Sequence, residues 1–192
     1  MTDISRLAEA CARLGESSSD YDLNPGLRPA ARELRPAAVL VGICEGQVIL
    51  TKRASHLKHH PGQIALPGGK VDQADDGVIA TALRESREEV GLPSDLVEIA
   101  GTLPPHETVT GFMVTPVLGF VRGPFTPIPE AGEVEEVFTV PLHHVLNPES
   151  FGIERRRWRS EWRRYYAVPY GPYYIWGATA RILRGLADGV QP

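Results

Sequence analysis

The chain has 192 residues, of which 42% are hydrophobic and 23% charged, a composition typical of a globular protein that folds around one core. A formal net charge of -4 argues against a general binder of polyanions, so any cationic surface has to be local. The sequence has no signal-peptide pattern and no apolar run near the ~20 residues that span a bilayer, so we expect a cytoplasmic protein without a membrane partner.

Hydrophobic periodicity predicts both helices and strands along the chain. Residues 4–14 have an amphipathic helical pattern, and a linker rich in Gly, Pro and Ser leads to residue 35. Two strands joined at Glu45-Gly46 are predicted in residues 37–53, further strands in 96–105, 112–123 and 136–142, and further helices in 77–91 and 177–189. This order indicates an α+β protein with α/β/α layering, in which 1–35 is an N-terminal helix and linker and 36–192 is one domain.

The helix predicted at residues 77–91, GVIATALRESREEVG, has the most informative pattern. Asp75 or Asp76 is suited to cap its start, and Gly91 is suited to the left-handed position after its end. At 100° per residue one stripe is predicted to be buried, comprising Ile79, Ala82, Leu83, Ser86 and Val90.

Three glutamates, Glu85, Glu88 and Glu89, border this stripe at spacings that make their carboxylates neighbours. Like charges at such spacings cost on the order of a few tenths of a kcal/mol per pair, and partial burial raises that cost. A bound divalent cation makes this grouping of carboxylates favourable, because Mg²⁺ prefers carboxylate oxygens and bridges to substrate phosphates. An alternative is a solvated helix face with an Arg84–Glu88 ion pair, and the helix alone does not decide between the two.

Residues 69–92 resemble the Nudix box, whose pattern is G-x5-E-x7-R-E-U-x-E-E-x-G-U, with U an apolar residue. The residues that match are Gly69, Arg84, Glu85, Glu88, Glu89, Gly91 and Leu92. Asp75 stands in place of the early glutamate, one residue is inserted before Arg84, and Ser86 replaces the first apolar residue. None of these departures affects the three glutamates.

The resemblance implies a Nudix fold, a mixed sheet sandwiched between helices, and hydrolysis of a nucleoside diphosphate linked to another group. It also implies Mg²⁺ or Mn²⁺ as cofactor, with Glu85 and Glu89 as principal ligands and Glu88 as a further ligand or a catalytic partner of water. Arg84 would be structural and would orient a glutamate by a charge-assisted hydrogen bond. Gly91 would likewise be a structural residue of the box.

Residues 49–69, ILTKRASHLKHHPGQIALPGG, are similar to the motif that precedes the box in Nudix coenzyme A pyrophosphatases, L-L-T-x-R-[SA]-x3-R-x3-G-x3-F-P-G-G. The matching residues are Leu50, Thr51, Arg53, Ala54, Gly62, Pro67, Gly68 and Gly69. Lys58 replaces the second arginine, keeping the charge without the bidentate fork, and Leu66 replaces the phenylalanine. Residues 175–183 also resemble the C-terminal helix of that subfamily.

Coenzyme A carries a pyrophosphate and a 3′-phosphate, so its recognition calls for a metal site and separate cationic groups. We therefore assign Arg53, Lys58, Gly68 and Gly69 to substrate binding. His56, His59 and His60 are candidate helpers, and the alternative for them is an ordinary surface loop.

A general base is expected from a second segment, PEAGEVEEVFTVPL, because the box helix can spend its glutamates on metal. The segment supplies Glu130, Glu133, Glu135 and Glu136 just before an apolar strand. Glu133 resembles the glutamate of the subfamily's E-V-x-E-x-F stretch, and we choose it over Glu136 as the catalytic base. The alternative is a solvated acidic loop, in which case the proton goes to Glu88 or another group.

Residues 155–166, RRRWRSEWRRYY, mix six arginines with tryptophan and tyrosine. Such a segment is compatible with four roles: binding of single-stranded nucleic acid, a hairpin that covers an adenine ring, a homodimer interface, or a solvated edge strand guarded by arginines. The acidic chain makes nucleic acid the weaker choice.

The sequence thus predicts a pyrophosphohydrolase that cleaves coenzyme A or acyl-CoA to 3′,5′-ADP and 4′-phosphopantetheine. One rival keeps the fold but acts on a nucleotide sugar, a dinucleotide or an RNA 5′ end. The other is a catalytically silent Nudix-like domain that binds a nucleotide as a regulator, against which the intact glutamate set argues.

Overall fold

Eleven strands and three α-helices are found in the computed structural model, which describes residues 7–9, 16–158 and 160–191. The strands are β1 Ser18–Ser19, β2 Arg35–Cys44, β3 Gln47–Arg53, β4 Ile64–Ala65, β5 Gly68–Lys70, β6 Val97–Thr102, β7 His106–Glu107, β8 Phe112–Val121, β9 Val134–Pro141, β10 Gly152–Trp158 and β11 Glu161–Ala167. The helices are α1 Gly77–Val90, α2 Leu142–Val145 and α3 Ala178–Val190, with 3-10 turns at Pro25–Leu27, Ser94–Leu96 and Pro148–Ser150.

Nine of the strands form one mixed sheet in the order β1-β7-β8-β2-β3-β4, with β5 on β2, β6 on β8 and β9 on β3. The central pair, β2 and β8, is parallel over its whole length, and β3 returns antiparallel to β2. The turn between β2 and β3 has positive φ at Glu45 (50°) and Gly46 (74°), the conformation that a tight hairpin requires. The predicted pair of strands in residues 37–53 is therefore confirmed.

Helices cover both faces of this sheet. Successive side chains of a strand point to opposite faces, so the buried residues of β2 alternate between two cores. Ala38 and Leu40 lie in the core that contains Ala82 of α1. Val41 and Ile43 lie in the other core, with residues of α3 such as Leu183. The α/β/α layering predicted from the sequence is confirmed, and among the described residues no helix is long and apolar enough to cross a membrane.

Helix α1 begins and ends where predicted. Of the predicted buried stripe, Ala82, Ser86 and Val90 are buried, whereas Leu83 is half-buried. Gly91 adopts φ 71° after the last turn, and Asp76 occupies the N-cap position without a side-chain cap hydrogen bond. The prediction of a buried Ile79 is wrong, since this side chain is 38% exposed. The helix turns Glu89 inward instead, so that Glu89 is only 6% exposed.

The segment before β2 is fastened to β7 by two buried polar groups. The carboxylate of Glu107 accepts hydrogen bonds from Arg28 (2.6 Å) and Arg32 (3.1 Å). His106 is fully buried between Ser18 and the carboxylate of Asp20. Of the helix predicted at residues 4–14, residues 7–9 are helical, and the remainder lies outside the described residues.

Candidate active site

Strand β5 lies against α1 at the place where the two glycines of the predicted substrate site occur. A Cβ atom on Gly69 would stand 2.5 Å from Oε1 of Glu85, and one on Gly68 would stand 2.3 Å from the carbonyl oxygen of Ala38. The backbone contact excludes any larger residue at Gly68, whereas a larger residue at Gly69 would displace the carboxylate of Glu85. The glycine pair therefore lets the backbone of β5 lie against a carboxylate of the helix.

Glu89 is the most deeply placed carboxylate of this region. Its Oε2 accepts a hydrogen bond of 3.1 Å from the backbone N–H of Gly68. Burial raises the pKa of Glu89 to about 7; the Gly68 hydrogen bond and Arg53 oppose this rise, whereas the charges of Glu85 and Glu133 add to it. Arg53, Gly68 and Glu133, which the sequence analysis assigned to the site from separate segments, thus all influence the pKa of Glu89.

Glu85 has a similar environment. Burial raises its pKa, Arg84 opposes the rise, and the charges of Glu88 and Glu133 add to it. The predicted carboxylates of α1 and the predicted base on the other segment are therefore close enough to interact through space. Grouped like charges of this kind are costly unless a cation joins them.

Arg84 connects the helix to the loop before it. Its guanidinium donates to both carboxylate oxygens of Asp75 (2.8 and 2.9 Å), to Glu85 (2.8 Å) and to Glu88 (3.1 Å). Arg84 holds the pKa of Asp75 well below its usual range. Asp75 thus occupies the place of the early glutamate of the box, and the Arg84–Glu88 pair considered as an alternative is one contact of a larger network.

The donor set fits a hard divalent cation in its chemistry, because Glu85 and Glu89 are carboxylates of raised pKa one helical turn apart on α1. Within the described residues, no three His, Cys, Asp or Glu side chains are grouped so that they could hold an ion as they stand. In this arrangement Arg84 binds Glu85 and Glu88, while the N–H of Gly68 binds Glu89. A cation would have to draw these carboxylates from their present partners.

The basic stretch is a closed loop at the end of β3. The N–H of Arg53 donates to the carbonyl of Gln63 (3.0 Å), and the N–H of Gly62 donates to the carbonyl of Arg53 (3.1 Å). Lys58 is exposed within this loop, as are the three histidines. Because Arg53 lowers the pKa of Glu89, the base of the loop lies beside the carboxylates.

The four glutamates of the second segment have different partners. Glu130 is exposed, and its N–H donates to the carbonyl of Glu89 (3.0 Å). Glu135 accepts from Lys52 (2.6 Å) and from the backbone and hydroxyl of Ser55, and Glu136 accepts from the hydroxyl of Tyr173 (2.5 Å). Glu133 instead influences Glu85 and Glu89, and its carbonyl accepts from the N–H of Ala54 (2.8 Å). Sequence reasoning did not identify Tyr173, and no local pattern connects it with Glu136.

A mixed sheet between helices, with a glutamate-rich helix against a Gly-Gly strand, defines a class of phosphoanhydride hydrolases. The NUDIX domain model matches residues 33–162. The uncharacterized Nudix hydrolase NudL of Enterobacter sp. (strain 638) is 42% identical over 183 residues, which cover 88% of this chain and 91% of that protein. The NudL protein of Salmonella paratyphi B is 41% identical with the same coverage. The chain belongs to the Nudix hydrolase family and is a pyrophosphatase of that family.

Solved structures agree on the fold. The chain is similar to a MutT/nudix family protein from Enterococcus faecalis, with a TM-score of 0.50, 18% identity and coverage of 83% of this chain and 62% of that one. Nudix hydrolases generally use divalent metal ions, in keeping with the carboxylates on α1.

Proposed function

We propose that this protein hydrolyses the pyrophosphate of coenzyme A or acyl-CoA and yields 3′,5′-ADP and 4′-phosphopantetheine. The observation that carries the proposal is the position of the basic loop. The residues that resemble the coenzyme A motif leave β3 at Arg53, pass through Lys58 and return to Gly68 and Gly69, which adjoin Glu85 and Glu89. A diphosphate bound at the carboxylates would therefore lie beside the cationic loop.

Glu85, Glu88 and Glu89 are proposed to hold Mg²⁺ or Mn²⁺. The cation would neutralise the pyrophosphate oxygens and acidify the attacking water. Arg84 positions Glu85 and Glu88 through its hydrogen bonds, with Asp75 as the anchor of the guanidinium. The N–H of Gly68 orients Glu89.

Glu133 is proposed as the general base that takes the proton from water. Support comes from its neighbours in sequence, since Glu135 is bound to Lys52 and Ser55 and Glu136 is bound to Tyr173. The charge of Glu133 acts on the carboxylates of Glu85 and Glu89. The P–O–P bond breaks as the water oxygen forms its bond to phosphorus, and the departing phosphate carries away the electron pair.

Arg53 and Lys58 are proposed to bind the phosphates of the substrate. Lys52 is less suited, because its ammonium group already pairs with Glu135 at 2.6 Å. Lys58 is exposed in the basic loop, so its ammonium group is accessible to a phosphate of the substrate. A point charge of this kind gives affinity with little directionality.

The test is a substrate panel assayed with the purified protein and Mg²⁺, comprising coenzyme A, acetyl-CoA, dephospho-CoA, ADP-ribose, diadenosine polyphosphates and 5′-triphosphate RNA. We expect kcat/KM for coenzyme A or acetyl-CoA to exceed that for ADP-ribose by about tenfold or more, a difference of about 1.4 kcal/mol in transition-state binding. A preference for another member of the panel would replace the substrate assignment. No turnover of any member, with retained nucleotide binding, would identify a silent regulator.

A further inference from the structure

Residues 152–167, which we call the arginine hairpin, form a two-stranded sheet separate from the main sheet. All seven residues of β10 are exposed. The hairpin is fastened at its base, where the side chain of Asn24 pairs with both the N–H and the carbonyl of Arg164 at 2.8 Å and Ala167 pairs with Trp176. Arg163 also lies over the ring of Tyr21 at 5.2 Å, and beyond it the turn carries two exposed tryptophans.

The arginine hairpin is strongly cationic in an acidic chain. It contains six arginines and two glutamates, a formal charge of +4, which leaves -8 on the rest of a chain whose total is -4. Arg155 lies opposite Arg164, and Arg156 lies opposite Arg163, on the paired strands. Like charges directly opposite one another destabilise a hairpin, and in the described part of the chain no carboxylate forms an ion pair with these four arginines.

Two tryptophans lie at the turn of the arginine hairpin. Trp158 pairs with Glu161, and Trp162 pairs with Arg157, so the two indoles are on opposite faces of the ribbon. They are 49% and 59% exposed. Behind them, both faces carry arginines within two or three residues, a distance of roughly 7–10 Å along a strand.

We propose that the tip of the arginine hairpin inserts into the interfacial layer of an anionic lipid bilayer. Tryptophan prefers the headgroup level of a membrane, and basic residues just behind it bind anionic headgroups. The turn presents both exposed tryptophans, and the arginines directly behind them supply the positive charge that anionic headgroups attract. The expectation of no membrane partner rested on the lack of a spanning run, which a surface hairpin does not need.

Two other occupants fit this geometry less well. Single-stranded nucleic acid needs aromatic rings open on one face, but the two indoles face opposite ways, and Arg155 already lies over the Trp162 ring at 4.9 Å. A second hairpin added edge to edge would bring arginines against arginines. A bilayer accepts groups from both faces of the ribbon at once.

The experiment is sedimentation of the full-length protein with vesicles of phosphatidylcholine alone or with phosphatidylserine. We expect partitioning onto the anionic vesicles to exceed that onto neutral ones by about tenfold or more, and to fall in 0.5 M salt. Changing both Trp158 and Trp162 to alanine should abolish it. In a Trp176→Phe background the two remaining tryptophans report the hairpin alone, and their emission should shift to the blue on binding.

Three controls separate this proposal from a general loss of folding. Arg122→Ala removes an arginine from a surface pair with Glu98 outside the hairpin and should bind vesicles as the wild type does. The tryptophan variants should unfold at the wild-type temperature and retain pyrophosphatase activity; if they do not, Arg155→Gln with Arg156→Gln replaces them and should lower binding by about tenfold. Equal binding to neutral vesicles, no binding, a preference for polyuridylate, or a dimer that depends on the tryptophans would each overturn the proposal.

Discussion

Replacing Glu89 by glutamine should stabilise the metal-free protein at alkaline pH while it removes most of the activity. Burial raises the pKa of this carboxyl from 4.5 to about 7 in the folded protein. The folded state therefore binds the proton more tightly than the unfolded state. The stability contributed by this proton is present at low pH and is lost as the pH rises from about 4.5 through 7. This difference in pKa between the folded and unfolded states lowers the free energy of unfolding by about 3 kcal/mol at pH 8. Glutamine removes the charge but preserves the acceptor for the N–H of Gly68.

The assay is urea unfolding at pH 5, 6, 7 and 8 in the presence of a chelator, with the wild type and the Glu89→Gln variant measured side by side. The two should differ little at pH 5, and the variant should be the more stable by about 3 kcal/mol at pH 8. Glu98→Gln is the matched control, because Glu98 forms a surface pair with Arg122 away from these carboxylates, and this change should leave the pH dependence between pH 5 and 8 unaltered. Adding Mg²⁺ should raise the unfolding temperature of the wild type and not that of Glu89→Gln.

Activity provides the second readout of the same variant. With saturating Mg²⁺ we expect kcat to fall by at least ~100-fold, since a hard cation loses the charge of a ligand. A stability difference that is constant with pH would refute the effect of burial on Glu89. Near-normal turnover would refute its assignment as a metal ligand.

Three further variants test the other roles. Glu133→Gln should remove the acidic limb of the pH–rate profile and lower kcat by ~10²–10⁴, and an unchanged profile would transfer the role of base to Glu88 or another group. Lys58→Ala should raise KM for coenzyme A more than it lowers kcat, and an unchanged ratio of coenzyme A to dephospho-CoA efficiency would exclude Lys58 as the reader of the 3′-phosphate. Glu135→Ala should raise KM because Ser55 loses the acceptor that fixes the basic loop, whereas Glu98→Ala, on a remote surface pair, should have no effect on KM.

Local patterns were sufficient for the central elements of the fold. The alternation in residues 37–53 and the Glu45-Gly46 turn specify a hairpin, and the spacing of the glutamates specifies a helix that ends at Gly91. The periodicity predicted a buried Ile79 and this prediction was wrong. A pattern of apolar residues places every apolar residue in the core, and it contains no information on the contact between β5 and Glu89. A hydrogen bond to the Gly68 N–H satisfies that carboxylate, so the helix can turn it inward.

Contacts between distant segments were beyond the reach of sequence patterns. The hydroxyl of Tyr173 binds Glu136, and Asn24 binds the backbone of Arg164, across separations that no periodicity encodes. Which of the four glutamates of the second segment faces α1 is also decided by such contacts. The sequence indicates that a carboxylate should come from this segment. The partners of Glu135 and Glu136 leave Glu130 and Glu133, and we propose Glu133 because its charge acts on Glu85 and Glu89.

The fastening of the N-terminal segment to β7 determines where this protein can be shortened. The region that matches the NUDIX family begins at residue 33, but Arg28 and Arg32 lie before it, and both bind Glu107, whose side chain is only 5% exposed. A fragment that starts at residue 33 would keep this carboxylate and lose both guanidinium groups. Removing the partner of a buried charge costs about 3–5 kcal/mol, a large share of the stability of a single domain. The unit that folds is therefore larger than the unit that the family shares, and a truncation for crystallisation or expression should begin ahead of Ser18.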